Sequence, residues 1–485
     1  MNAPSAETLE RFAAIVGAAN ALRPDETDLT HFTQENRHIV SGRTPMVLRP
    51  GSTEEVAAIV RVANETRTAL VPQGGHTGHV AGGAPDESGT QIVVAMERMN
   101  RLREIDVAGN TMTVEAGMVL QRAQEIAAEH YRLFPLALAS QGSCQIGGNI
   151  SSNAGGVAVL AYGNMRDLVL GLEVVLANGE TWNGLRKLKK DNTGYALRQL
   201  FIGAEGTLGI VTAATLKLFA RPKGKEVVFA GMRTPAAALQ LLNAALAVAG
   251  LSLTTFELIH RTPLEFTLQH IAGIRDPLAD RHEWYVLAEL SSGRSPHDAR
   301  EIAETIFNAA IADGTIGDAA LAGSLAQQNQ FWKLREDMPS AQAFEGGSIK
   351  HDISLPVHRI PEFLRQANPL VEREYPGARV CCFGHMGDGN LHYNISQPKG
   401  GEAKAFLAAT QRINESVYAL VIDMDGSVSA EHGVGRLKRD LIVHVKSPVE
   451  MELMRSLKRA LDPNDIMNPG KVVQVRDEIQ SDLSS

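Results

Sequence analysis

At 485 residues the chain is too long for one hydrophobic core and should divide into two or three domains of roughly 150 residues. Its 44% hydrophobic, 5% aromatic and 21% charged residues are ordinary globular proportions, which argues against disorder, collagen or coiled coil. A formal charge of −8 without any long Lys/Arg run gives no electrostatic footprint for nucleic acid or an anionic membrane, so a small-molecule partner is expected.

In chain order, Leu9, Phe12, Ala13 and Val16 have helical spacing within an opening segment of about 40 residues. This start lacks the layout of a secretory signal, and three cysteines, Cys144, Cys381 and Cys382, supply no disulfide framework or CxxC knuckle, so a reducing cytoplasm is the expected compartment. From Val47 the chain alternates. A strand at Val47–Pro50 precedes an N-cap at Ser52 and a helix over Val56–Thr66, and a short strand at Leu70–Pro72 follows. Gln91–Met96, Thr111–Glu115, Leu168–Leu176 and Ile210–Phe219 are β-rich, and Asn178-Gly179 signals a hairpin. The charged Pro/Gly break Arg221–Lys225 marks a domain boundary. Beyond it, strands at Val227–Gly231, Leu253–Ile259 and Tyr285–Leu290 alternate with helices at Pro235–Ala249 and Pro296–Ala312, the pattern of an α+β domain with an antiparallel sheet. Ala236–Phe256 is the most apolar long stretch, but Gln240 and Asn243 interrupt it, so it reads as a buried helix and a strand instead of a membrane span. Pro448–Leu461 is helical and stops at Asp462-Pro463.

Glycine carries the most informative signal. The 44 glycines are about 9% of the chain, above the background near 7%, and the surplus is clustered. Five lie between Gly74 and Gly83, six between Gly142 and Gly163, and three between Gly384 and Gly389. Loops without Cβ atoms let backbone N–H groups turn inward as an anion nest suited to a phosphate or pyrophosphate. The first loop, Val71–Gly83, is neither a Rossmann GxGxxG nor a P-loop. The second, Ser140–Gly156, adds small hydroxyls and asparagines, and a third, Gly203–Thr212, runs into a strand.

These loops, together with Asp462-Pro463 and Asn468-Pro469-Gly470-Lys471 near the C-terminus, resemble the FAD-binding oxidoreductases of the vanillyl-alcohol oxidase type. The similar branch is that of D-lactate dehydrogenase, glycolate oxidase and D-2-hydroxyglutarate dehydrogenase, and the resemblance runs from about Val47 to Val473. It implies a two-subdomain FAD-binding domain over 41–222 behind an N-terminal helical segment over 1–40. An α+β substrate- and metal-binding domain over 223–447 follows, then a C-terminal helical segment over 448–485 that packs back on the FAD domain. FAD would be held by Pro72, Gln73, Gly74, Gly75, His76, Thr77 and Gly78 of the first loop and by Gly142, Ser143, Gly147, Gly148, Asn149, Ser152, Asn153, Gly155 and Gly156 of the second. Gly206, Ile210 and Asn468 complete the implied set. His76 stands where the nearest members of the family usually have Asn or Gly, and it is either a hydrogen-bonding residue or a covalent attachment point for the flavin.

His385 and His392 are seven apart, on opposite faces of a straight strand, but Gly387-Asp388-Gly389-Asn390 is turn chemistry that can fold them together. With Glu431 they make two histidines and a carboxylate, a donor set for catalytic Zn²⁺ or non-haem Fe(II), while a structural histidine pair is the alternative on the residues alone. The resemblance makes His385, His392 and Glu431 ligands of a divalent metal, zinc first with manganese or iron next, and His432 the base. Histidine's ordinary pKa of about 6.5 suits proton removal at neutral pH. It also makes Arg335, Lys350, Asn394 and His432 substrate contacts, with Arg335 able to grip a carboxylate in two bonds. Pro339 replaces a residue that is often Thr in that branch, and the adjacent Ser340 is the candidate to compensate.

The implied activity is oxidation of a D-2-hydroxy acid, D-2-hydroxyglutarate or a similar dicarboxylate, to the 2-oxo acid by hydride transfer to flavin N5. D-lactate is the alternative substrate within the family, and a 2-His-1-carboxylate Fe(II) oxygenase or a non-catalytic flavin-binding module are the alternatives outside it. The implied electron acceptor is an electron-transfer flavoprotein or a quinone, no NAD fingerprint being visible, and a homodimer is left open. GxSxG and HExxH are absent, which argues against a hydrolase, and His130, His270 and His282 read as surface or core residues.

Overall fold

A computed structural model describes residues 3–475; the last part of the expected C-terminal segment lies outside the described residues. The chain forms two compact units, one of Met1–Gly155, Asn164–Ala220 and His432–Ser485, the other of Gly156–Gly163 and Arg221–Glu431. The division after Ala220 falls at the charged Pro/Gly break. The second unit ends at Glu431 instead of 447, because backbone N–H groups of Val434 and Gly435 bond the Glu205 carboxylate of the first unit at 2.7 and 2.8 Å.

In the first unit the opening residues are not a separate segment. Helix Ala6–Val16, capped by Ser5, buries Phe12, Ala13 and Val16, and Ala21–Leu22 adds an antiparallel edge to a four-stranded sheet. The other strands of that sheet, Val47–Leu48, Ile92–Ala95 and Leu70–Gln73, are parallel and almost wholly buried. Their apolar, unalternating sequences fit strands covered on both faces. Helix Thr53–Thr66 starts where the Ser52 hydroxyl accepts the N–H of Glu55 at 3.2 Å. A five-stranded antiparallel sheet runs in the order Leu102–Asp106, Thr111–Glu115, Ile210–Lys217, Val169–Val175, Thr181–Gly184. Its first strand and helix Leu120–Glu129 carry mixed polar sequence and escape pattern reading.

The last described segment is built into this unit. Leu70 donates to the carbonyl of Ile466 and accepts from the N–H of Asn468, both at 2.8 Å. Lys458, on helix Pro448–Leu461, is 2% exposed; its ammonium donates to the carbonyls of Thr207 and Met467 and to Asp462 at 2.9, 2.7 and 2.6 Å. A buried cation this fully bonded is structural.

The second unit is organised on an eight-stranded antiparallel sheet. Its main path runs Asp318–Leu321, Gly224–Met232, Trp284–Ser292, Leu253–His260, Arg379–His385, Asn390–Ser396, Ser348–Ile349, with Asp352–Ser354 also paired to Asn390–Ser396. Helices Pro235–Ala249 and Pro296–Ala312 begin at Thr234-Pro235 and Ser295-Pro296, a hydroxyl cap followed by a residue whose missing N–H costs nothing in the first turn. The first of these is not the buried helix expected. Residues 235–252 are long and apolar enough by composition to cross a membrane, yet Ala238, Leu241, Leu242 and Ala245 are buried while Val248 and Leu251 are 51% and 79% exposed. Its inner face lies on the sheet strands, as for a helix half covered by its own fold.

Candidate active site: a glycine-lined cleft and a histidine-carboxylate cluster

In the first unit, the parallel strand Leu70–Gln73 ends in the first glycine loop, and the short helix Ile146–Ser151 begins at the second. The loops border a cleft of about 1010 Å³. Pro72, Gln73, Gly74, Gly75, His76, Thr77 and Gly78 all line it, as do Gly147, Gly148, Asn149, Ser152, Gly206 and Ile210. Two glycines show why no side chain is used. A Cβ on Gly75 would stand 2.0 Å from the carbonyl oxygen of Ser143, whereas a Cβ on Gly148 would meet nothing within 4 Å and project into open space. Gln145 is buried against the cleft with its Oε1 unpartnered, an acceptor waiting for a donor. Space, inward-facing backbone and this orphan acceptor fit a large polar cofactor such as FAD.

Several expected cofactor residues frame the cleft without lining it. Ser143 backs Gly75 through its carbonyl, Asn153 accepts the N–H of Arg166 at 2.9 Å, and Asn468 donates to the carbonyls of Gly82 and Glu205 at 2.9 and 2.7 Å. Gly142 is exposed, Gly155 is half-buried outside the lining, and Gly156 belongs to the second unit. His76 adopts φ 55°, and its Nε2 lies 2.8 Å from the carbonyl of Gln34. Burial lowers its pKa, so the neutral ring donates from Nε2, in keeping with the hydrogen-bonding alternative. His432 also lines the cleft, edge-on to His79 with ring centroids 4.7 Å apart.

Pattern reading passed over Glu205. Its carboxylate is buried, and burial raises its pKa to about 7 despite the N–H groups of Val434 and Gly435 and the charges of Lys438 and Lys471. It clamps the backbone just beyond His432.

In the second unit, strands Arg379–His385 and Asn390–Ser396 form the expected hairpin, pairing Phe383 with His392. The Nε2 atoms of His385 and His392 lie 4.0 and 3.6 Å from the two oxygens of Glu431. All three ligand atoms fall within 4.8 Å of one another. Tetrahedral donors at about 2.1 Å from Zn²⁺ are roughly 3.4 Å apart, so the set fits a divalent ion with slight contraction. Asp352 supports it by accepting from the N–H of Glu431 at 3.1 Å and from the Asn390 amide at 3.0 Å.

Behind His385 stands Glu257, fully buried on strand Leu253–His260 and directly opposite it in register. Its Oε1 is 2.5 Å from His385 Nδ1 and its Oε2 accepts from Arg335 Nε at 2.6 Å. Burial pushes Glu257 up, but His385 and Arg335 overcome that and hold it at about 2. Burial lowers His385, and the Glu257 carboxylate more than offsets it, raising the imidazole to about 9. A lone acid in the apolar run Leu253–His260 was the available sequence signal for Glu257. Arg335 is itself buried over the Phe383 ring at 4.7 Å. Asn394 shares a strand face with His392 and donates to Gln342 at 3.0 Å. Lys350 is exposed between two short strands, near enough for its charge to act on the Cys381 thiol. Pro339 and Ser340 are exposed on helix Met338–Ala343.

Two family models match the sequence, an FAD binding domain over residues 44–184 and the C-terminal domain of FAD linked oxidases over 221–472. The chain is 37% identical to a D-2-hydroxyglutarate dehydrogenase of Xanthomonas citri pv. viticola over 94% of this chain and 95% of the relative. It is 35% identical to the D-2-hydroxyglutarate–pyruvate transhydrogenase DLD3 of Saccharomyces cerevisiae over 94% and 91%. The crystal structure of p-cresol methylhydroxylase with substrate bound superposes with a TM-score of 0.75 at 16% identity, covering 97% of each chain. That likeness shows the fold, which is the α+β fold of vanillyl-alcohol-oxidase-type flavoproteins.

Proposed function

From the premise that the chain belongs to the FAD linked oxidases and is an FAD-dependent hydroxyacid dehydrogenase, we propose that it oxidises a D-2-hydroxy dicarboxylate such as D-2-hydroxyglutarate to the 2-oxo acid. The observation that carries this reading is the joining, through Glu257, of a two-histidine, one-carboxylate set to the buried guanidinium of Arg335. The set offers a cation to the hydroxyl, and Arg335 offers a fork to the carboxylate. Family membership sets aside a bare iron oxygenase, which also leaves the glycine loops without a purpose.

Bound FAD would accept the hydride at flavin N5, and a divalent ion, zinc by its donor set, would polarise the substrate hydroxyl. His385, His392 and Glu431 hold that ion. His432 takes the hydroxyl proton, and its position in the chain immediately after Glu431 ties the base to a ligand. Arg335, with Lys350 and Asn394, orients the carboxylates, and two cations favour a dicarboxylate over D-lactate. Reoxidation by an electron-transfer flavoprotein or a quinone completes turnover.

Anaerobic mixing of the flavoprotein with a panel of D- and L-2-hydroxy acids is the test. Bleaching of the flavin by D-2-hydroxyglutarate, slower bleaching by D-lactate and none by L-isomers is expected. Failure of every D-2-hydroxy acid would overturn the activity. Chelator treatment should abolish turnover and leave flavin bound, so full activity in metal-free protein removes the metal from the reaction. A His432→Ala variant that bleaches at the normal rate removes the base assignment.

A further inference from the structure

The carboxylate of Glu257 has two partners that the proposed reaction uses for different purposes. One oxygen faces Nδ1 of the metal ligand His385 at 2.5 Å, and the other accepts from Nε of Arg335, the anchor for the substrate carboxylate, at 2.6 Å. Its neighbours on the strand, Phe256 and Leu258, are buried hydrocarbon, and Glu257 itself is 0% exposed. A charged group in such a place is costly to desolvate, and removing either partner leaves an uncompensated charge.

Both bonds constrain the site. With Nδ1–H engaged by Glu257, the imidazole presents Nε2 toward Glu431 and His392, the tautomer that a metal needs. With Nε engaged, Arg335 cannot rotate about its side chain freely, and its terminal nitrogens are the pair directed at a substrate carboxylate. Register pairing of Glu257 with His385 makes the backbone enforce this, since neither strand can slide without turning its side chains to the other face.

We infer that Glu257 is a positioning residue that couples the metal ligand His385 to the carboxylate anchor Arg335, so that one side chain sets both metal affinity and substrate-carboxylate affinity. The inference rests on the metal-assisted reading proposed above and adds a residue to it. Glutamine is the informative replacement because it can satisfy only one partner. With its oxygen on His385, its NH₂ opposes Arg335; flipped, its NH₂ donates to Nδ1, moves the ring proton to Nε2 and blocks the ligand atom.

Zinc binding to flavin-loaded protein, measured by competition with a chromophoric chelator, is the primary readout. Glu257→Gln should weaken zinc by about 10- to 100-fold, shift the visible bands of the Co²⁺-loaded protein or raise KM for the hydroxy acid, while FAD content stays at the wild-type level. Glu257→Asp, which keeps the charge but shortens its reach, should recover part of the loss. Arg335→Met should change zinc affinity although Arg335 is no metal ligand, and that effect should vanish in the Glu257→Gln background. If Glu257→Gln does not fold, the Arg335→Met titration decides alone. Wild-type zinc affinity, cobalt spectrum and KM in folded Glu257→Gln, or unchanged zinc affinity in Arg335→Met, would overturn the coupling. Failure of the underlying reading has a different signature: wild type and His392→Ala would then bind zinc equally or not at all, which overturns the metal site and the coupling together.

Discussion

The glycine-lined cleft and the histidine-carboxylate cluster solve opposite problems in one chain. The cleft is made mainly of backbone, where the absence of side chains at Gly75 and Gly148 creates both a close approach and an opening. The cluster is made of side chains held on strands, each ligand oriented by another buried group: Glu257 behind His385, and Asp352 behind Glu431. A backbone nest tolerates change in its neighbours as long as no bulk is added. A side-chain cluster depends on every supporting bond, because a ligand that turns away is lost altogether.

The most damaging way to break this contrast is in the cluster. His392→Ala should remove the bound metal and lower turnover by about 10³-fold or more, with flavin content unchanged, as read by metal analysis beside flavin absorbance. The reciprocal experiment adds bulk to the cleft. Gly148→Leu should weaken FAD by roughly two orders of magnitude while zinc binding to the apo-flavin protein stays intact, a loss caused by volume alone. If either variant loses both groups, the two regions are not independent.

A smaller effect is expected at Glu205, the carboxylate that clamps the segment after His432. Its pKa rises on folding from about 4.5 to about 7, so between those values the folded protein keeps a proton that the unfolded chain releases. Stability of the flavin-free protein should therefore fall as pH rises through this window, by up to roughly 3 kcal/mol. Lys438, Lys471 and the N–H groups of Val434 and Gly435 reduce the penalty without cancelling it. Glu205→Gln should flatten that pH dependence in denaturant titrations; an unchanged slope would remove Glu205 as its source. The smallest effect belongs to Ser52→Ala, which deletes a helix cap remote from both ligand sets and should cost about 1 kcal/mol without altering metal or flavin content.

Much of the local structure was legible from short patterns. Thr234-Pro235, Ser295-Pro296 and Ser447-Pro448 each opened a helix at the expected residue, because a hydroxyl cap and a proline act within one turn. The turn Gly387-Asp388-Gly389-Asn390 likewise brought His385 and His392 to one place. Strand Leu102–Asp106 was missed, since its half-exposed residues lack an apolar alternation, and the helix at Pro235–Ala249 was assigned too much burial because composition does not say which face finds a partner.

By itself the sequence determined the glycine clusters, the caps, the hairpin and the family, all features encoded by residues close together or by whole-chain resemblance. Only the tertiary structure decided that Asn468 and Ser143 support the cleft from outside it, that His432 stands beside His79, and that Glu257 joins His385 to Arg335. The reason is distance along the chain. Glu257 lies 128 residues from one partner and 78 from the other, and a buried carboxylate acquires its charge state and its role from the groups that folding brings to it.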